Sequence, residues 1–424
     1  MLRTAAAYGW LAGDEDTVRA AGARLAAGGC SDPLVEGLER LCEDDAEHGL
    51  PLLAGFLERR LDAPDTRDVD EQAVRMLALT CGTILGDDEA ALDLASTEVR
   101  WCRSQGIIGE LPYALDVLAQ NQVLAGRHRD AEASVTEAEE IARDTGMRQR
   151  LARLAAVRAD RRHRGDAQRV RELAEATPEA LCTGVDCAGV LLDLGLGDFD
   201  SALNRLTPPP PGPDRYIWLS LSTAADQVEA AVRLGQPERA EEALRHFENW
   251  AAAGARPRTS ATITPWAQAV VLRCKALLTD QPEHYAQALH LHEKGGRPFE
   301  RARTELLYGE WLRRARRRNE AREMLRSALT TFERLQAEPW MRRARAELQA
   351  SGDHLVTARM LADNLIDRLT PQELQVVRLA KDGSSSREIA AQLFLSPRTV
   401  EHHLYKAYPK LGVGSRQELV LLDL

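Results

Sequence analysis

The sequence predicts an all-α protein in two parts, an α-solenoid of helical hairpins followed by a small four-helix domain. Three observations lead there. Residues 1 to about 350 are rich in alanine and leucine, poor in aromatics (5 %) and nearly free of strand signals. Turn signals, usually a glycine followed by a polar residue, recur through that region at roughly 38-residue spacing, within the range of helix-hairpin repeats. Four helix-start signals then crowd into the last fifty-odd residues.

Within the first part, turns are expected near Gly13, Gly49, Gly86, Gly126, Gly165, Gly197, Gly235, Gln281 and Asn319. An alanine follows many of them: Ala91, Ala131, Ala202, Ala240 and Ala321. Small residues there let the second helix of a hairpin lie close against the first. Hairpin 112–145 shows the scheme, with Ala114, Leu115, Leu118 and Leu124 facing Ala131, Val135, Ala138 and Ala142. Three stretches interrupt the array: a charged loop at 58–70, the prolines Pro208 to Pro211 with Pro213, and Gly254-Ala255-Arg256-Pro257. The polyproline stretch breaks the array near 208–213.

The last part is legible from its caps. Thr370-Pro371-Gln372-Glu373 and Ser385-Ser386-Arg387-Glu388 read as capping boxes, Ser396-Pro397 opens a third helix, and Ser415-Arg416-Gln417-Glu418 opens a fourth. Only Leu395 and Ser396 are expected between the second and third helices, which makes a sharp helix-turn-helix. On the third helix, Val400, Leu404, Ala407 and Leu411 form one apolar stripe, while Arg398, Glu401, His402, Tyr405 and Lys406 fall opposite. Pro409 is expected to end that helix, giving it the span 397–408. An apolar back and a front of long hydrogen-bonding groups is what a major-groove reader needs.

These residues resemble the LuxR-type DNA-binding domain. The likeness runs through Leu369-Thr370-Pro371-Gln372-Glu373, Arg387-Glu388-Ile389-Ala390, Leu393, Leu395-Ser396, Thr399-Val400, His403, Lys410-Leu411-Gly412-Val413 and Ser415-Arg416. Two positions depart: Ser386 stands where asparagine is frequent, and Glu401 where lysine is. Serine caps a helix as well as asparagine does; Glu401 should change the preferred base. Residues 297–348, with Phe299, Tyr308, Trp311, Phe332 and Trp340, resemble the last helical repeats of the large LuxR-type regulators. The earlier hairpins are similar to degenerate tetratricopeptide repeats. The domains expected are therefore a repeat sensor or interaction region over 1–350, a linker over 351–366 and a LuxR-type helix-turn-helix domain over 367–424.

The resemblance implies a sequence-specific transcription regulator, an activator by family habit, that binds double-stranded DNA as a homodimer and works with RNA polymerase. It places Arg398, Glu401, His402, Tyr405 and Lys406 toward bases. Ser385, Ser386, Arg387, Thr399 and Lys410 go to phosphates, and Leu419, Val420 and Leu422 to the dimer surface. His403 is expected to be structural. An unknown effector, a small molecule or a protein, would act on the concave face of the solenoid. A second reading makes the chain an interaction scaffold whose solenoid docks peptides, with DNA binding secondary.

Totals narrow the other classes. Residues 355–424 hold nine Lys and Arg against eight Asp and Glu, so −11 of the net −10 lies elsewhere, and the repeats are a poor polyanion binder. No phosphate-cradling Gly-x4-Gly-Lys-Ser/Thr occurs around the five lysines, so no ATP hydrolysis is expected. Either the family's ATPase is absent or it is encoded upstream of Met1. Cys182 and Cys187 have no second pair to complete a metal site, and His284, His290 and His292 read as solvated. No nucleophile–base pair is apparent, so neither an enzyme nor a cofactor is expected. With no membrane-length apolar run and no convincing leader, a cytoplasmic protein is. The arginine run 313–318 is expected to be a solvated helix face paired with Glu310, Glu320 and Glu323. Asp87-Asp88-Glu89 and Glu43-Asp44-Asp45 read as capping or solvated groups.

Overall fold

The computed structural model describes residues 1–62, 72–147, 151, 154, 182–206, 216, 218–254, 265–353, 369–411 and 413–421. Gly165, the prolines at 208–213 and residues 63–71 lie outside these, as does most of the expected linker. Among the described residues there are 21 α-helices and no strand, so the all-α expectation holds. Two compact units result, Met1–Ala344 and Arg345–Leu424. The division falls inside a helix, Glu338–Ala350, rather than after residue 350.

The first unit opens with α1 (Leu2–Leu11), α2 (Glu15–Ala27), α3 (Pro33–Cys42), α4 (Ala46–Asp62), α5 (Gln72–Leu85), α6 (Asp88–Gln105), α7 (Leu111–Leu124) and α8 (His128–Asp144). It continues with α9 (Cys182–Leu196), α10 (Phe199–Arg205), α11 (Trp218–Arg233), α12 (Glu241–Gly254), α13 (Pro265–Thr279), α14 (Pro282–His292), α15 (Pro298–Arg314), α16 (Arg318–Arg334) and α17 (Glu338–Ala350). From α1 to α16, successive helices pack in pairs as hairpins. The turn glycines Gly13, Gly86, Gly126, Gly197 and Gly235 all have φ between 68° and 77°, a left-handed conformation that side chains resist. Ala91, Ala202 and Ala321 are completely buried where the paired helices cross. At Gly82 a Cβ would come within 2.8 Å of Ala91, so this crossing has no room for one. All eight residues named for hairpin 112–145 are buried.

Four expectations change. Gly49 is not a turn: it lies within α4, where a Cβ would meet the Gly37 carbonyl at 3.0 Å, and the turn is made by Asp44 at φ 60°. The turn before Asn319 is made by Arg316 (φ 61°). Residues 58–62 continue α4 instead of opening a loop. His292 is buried and bonded to the Thr304 hydroxyl at 3.0 Å, not solvated, and burial pushes its imidazole pKa down to about 3.

The hairpins also meet at long range. Turns of the N-terminal half are sealed by side chains from the C-terminal half. Trp250 Nε1 donates to Ile84 O (2.8 Å) and Trp266 Nε1 to Gly86 O (3.1 Å). Arg297 forks onto Asp88 (2.8 and 2.7 Å) with its guanidinium 3.4 Å from the Trp266 ring centre. Tyr216 donates to Asp44 at 3.0 Å. Asp87 caps α6, as expected, by accepting from Ala90 N.

A buried ion cluster joins α11, α15 and α17. Arg303 donates to Asp226 (2.6 Å) and Glu229 (2.8 Å), while Arg343 donates to Glu229 (2.7 Å) and Glu310 (2.9 Å). Burial opposes the Glu229 charge, but Arg343, Arg303 and Arg233 overcome it and hold the carboxyl far below its ordinary value. Glu310 is thus spent on Arg233 and Arg343 rather than on the 313–318 run; from that run Arg317 pairs with Glu320. Glu98, Cys102 and Glu110 converge as a metal triad would, but the Arg75 guanidinium pairs with both carboxylates.

Candidate nucleic-acid interface

The C-terminal unit carries α18 (Pro371–Lys381), α19 (Ser386–Leu393), α20 (Pro397–Leu411) and α21 (Arg416–Leu421). Both leading capping boxes form. Thr370 Oγ1 accepts from Glu373 N while Glu373 accepts from Thr370 N, and Ser385 and Glu388 repeat the exchange. At α21, Ser415 Oγ accepts from Glu418 N, but the Glu418 carboxylate reaches Gly414 N instead of completing the box. The core is Val376, Val377, Ala380, Ile389, Ala390, Val400, Leu404, Ala407, Leu411 and Leu419.

The four stripe residues of α20 are all buried, Leu411 included. Arg398, Glu401, His402, Tyr405 and Lys406 are all exposed, Tyr405 at 76 %. None of the five makes a hydrogen bond or ion pair with the described residues. His403 is half-buried, in line with a structural role. A single helix therefore separates an apolar back from a front of unspent donors and acceptors.

Two points of local geometry differ from expectation. Pro409 does not end α20, which runs to Leu411. The missing proline N–H falls in the last turn, where Leu411 is held by burial, so the lost bond does not stop the helix. The turn between α19 and α20 also includes Phe394, at φ 55° and 96 % exposed, with Leu395 N donating to Ala390 O at 2.9 Å.

The residues expected on phosphates divide. Arg387 is exposed and makes no hydrogen bond or ion pair with the described residues. Ser385 and Ser396 serve as caps, and the Thr399 hydroxyl bonds to that of Ser396 at 2.7 Å. Ser386 accepts from Arg416 (3.1 Å), and Arg416 also reaches Ser384 O, tying α21 to the start of α19. Lys410 is bonded to Glu373 at 2.5 Å. That ammonium, followed by the Thr370 backbone, holds the Glu373 carboxyl below its ordinary value. Of the expected dimer residues, Leu419 is completely buried in the domain core and presents no pairing surface: α21 needs it to dock. The side chains of Val420 and Leu422 lie outside the described residues. Sequence reasoning missed the clamp by Arg416 and the exposure of Phe394; only the apolar turn position at 394 hinted at the latter.

Comparison with known proteins bears on this unit. Residues 367–422 match the family described as bacterial regulatory proteins, luxR family. An HTH-type transcriptional regulator of Mycobacterium bovis is 56 % identical over 52 residues, 12 % of this chain and 6 % of that protein. The spore germination protein GerE of Bacillus subtilis is 40 % identical over 53 residues, 12 % of this chain and 72 % of GerE. A nitrate/nitrite response regulator protein homolog of Haemophilus influenzae is 40 % identical over 75 residues, 18 % of this chain and 36 % of that protein. The chain thus spans only a small part of the mycobacterial relative's length. No described helix is long and apolar enough to cross a membrane.

Proposed function

The chain belongs to the luxR family of bacterial regulatory proteins, DNA-binding transcription regulators, and from that premise we propose that it reads operator sequence by lodging α20 in the major groove. The observation that carries this reading is the division of α20 into four buried apolar residues and five exposed, uncommitted polar ones. Arg398 suits a two-bond contact with guanine and Glu401 accepts from a cytosine amino group, with His402, Tyr405 and Lys406 completing the reading face. Arg387 supplies a phosphate contact, and Ser385, Ser386 and Thr399 lie at helix N-termini that favour phosphate oxygens.

In the fuller proposal two copies pair on a two-fold operator and activate transcription with RNA polymerase. The repeats respond to an effector. Support for that regulatory part is the family membership and the division of the chain into two compact units.

Binding-site selection with the full chain, parent against Glu401→Ala, tests the reading. The variant should lose discrimination at one base position, worth about 1–3 kcal/mol. Identical preferences for parent and variant would refute the groove assignment, and failure of the parent to bind any duplex would refute DNA reading altogether.

A further inference from the structure

Phe394 stands out because two independent costs fall on one residue. Its ring is 96 % exposed, the most exposed large apolar side chain after Met1 among the described residues. Its backbone sits at φ 55°, ψ 41°, a left-handed conformation in which the Cβ of an aromatic residue crowds the following carbonyl. Glycine or asparagine would make the same turn with less strain and no exposed ring. Among the described residues the ring is no part of the domain core.

The location of the residue says what can cover it. Only Leu395 and Ser396 separate Phe394 from Pro397, the first residue of α20. Three Cα–Cα steps reach at most ~11 Å, so Phe394 lies near the helix end that carries Arg398. A major groove is about 12 Å wide. A residue just before the first turn of a helix that fills the groove comes near the groove wall, where the deoxyribose carbons are the apolar part of an otherwise charged surface. Exposed Arg387 and Arg398 on either side in sequence suit the neighbouring phosphates.

We propose that Phe394 is a DNA-contacting residue whose ring packs against the sugars of the strand bordering the groove entered by α20. The inference rests on the DNA-reading proposal above. It adds an apolar contact, blind to sequence, that helps seat the reading helix.

The test is a titration of the full chain by fluorescence anisotropy against a selected operator and a scrambled duplex, at several salt concentrations. The parent is compared with Phe394→Gly and Phe394→Asn, and thermal unfolding is followed alongside. Both substitutions should weaken binding to both duplexes by about tenfold. The salt dependence should not change, because no phosphate contact is lost, and the unfolding midpoint should hold or rise. Unchanged affinity with a parent that binds would overturn the proposal alone. Unchanged affinity with lost transcriptional activation would assign Phe394 to a protein partner instead, and also overturns it. A flattened salt dependence would mean that the helix had shifted off its phosphates, against the proposal. A parent that binds no duplex would sink this inference and the DNA-reading proposal together.

Discussion

Lys410 Nζ lies 2.5 Å from Glu373 Oε2, so the last turn of α20 is fastened to the first turn of α18. Glu373 is at the same time the acceptor that closes its own capping box. One carboxylate thereby fixes both the start of the domain and the far end of α20. Replacing Lys410 with alanine should lower the stability of the C-terminal unit by about 0.5–1 kcal/mol, a modest figure because the lysine is a third exposed. Chemical denaturation measures it. Because the ammonium is already engaged, the salt dependence of DNA binding should change little; a slope lower by a full phosphate contact would place Lys410 on the DNA instead.

The same carboxylate sets a pH response. Glu373, held down by Lys410 and then the Thr370 backbone, and Glu388, held down by the Ser385 backbone, are both depressed below the ordinary glutamate value of 4.5. A carboxylate with a lower pKa when folded adds stability above its unfolded pKa and loses it as pH falls through the folded one. The parent should therefore melt higher than the double variant Glu373→Gln, Glu388→Gln at neutral pH. The gap should narrow below pH 4.5. A gap independent of pH would refute the assignment.

In the repeats, Arg303→Ala should cost about 3–5 kcal/mol, since it strands the buried Asp226 and leaves the buried Glu229 with Arg343. Arg303→Met, which keeps much of the volume but still strands Asp226, should recover little. Adding Asp226→Leu and Glu229→Leu to Arg303→Met should recover more, although Glu229→Leu also deprives Arg343 of a partner. Differential scanning calorimetry separates these cases.

Gly82→Ala introduces a Cβ 2.8 Å from Ala91 and should cost about 1–3 kcal/mol by forcing α5 and α6 apart. Pairing it with Ala91→Gly should restore little, because the new Cβ also lies 2.8 Å from the Ala91 Cα and N, and a full rescue by the double variant would contradict a backbone clash.

The hairpin order and the reading domain were legible because they rest on local chemistry. Caps at Thr370 and Ser385, and the stripe of Val400, Leu404, Ala407 and Leu411, depend on residues three or four positions apart. What stayed hidden depends on partners far away in the chain. Lys410 looked like a phosphate ligand until Glu373 was seen beside it, and Leu419 looked like a dimer contact until the core was assembled. His292 acquires its burial from elements no short window contains. The misread turns at Gly49 and Asn319 share another cause: Asp44 and Arg316 adopt left-handed backbone that composition assigns to glycine.

The seals at Ile84, Gly86 and Asp88 bridge 166, 180 and 209 residues, and that at Asp44 bridges 172. An array touching only its neighbours can nucleate anywhere and grow outward. This one cannot finish until Arg297 has left the ribosome, so its opening hairpins wait as an unlatched intermediate through much of synthesis. Once latched, the repeats should come apart in a single event rather than peel from an end.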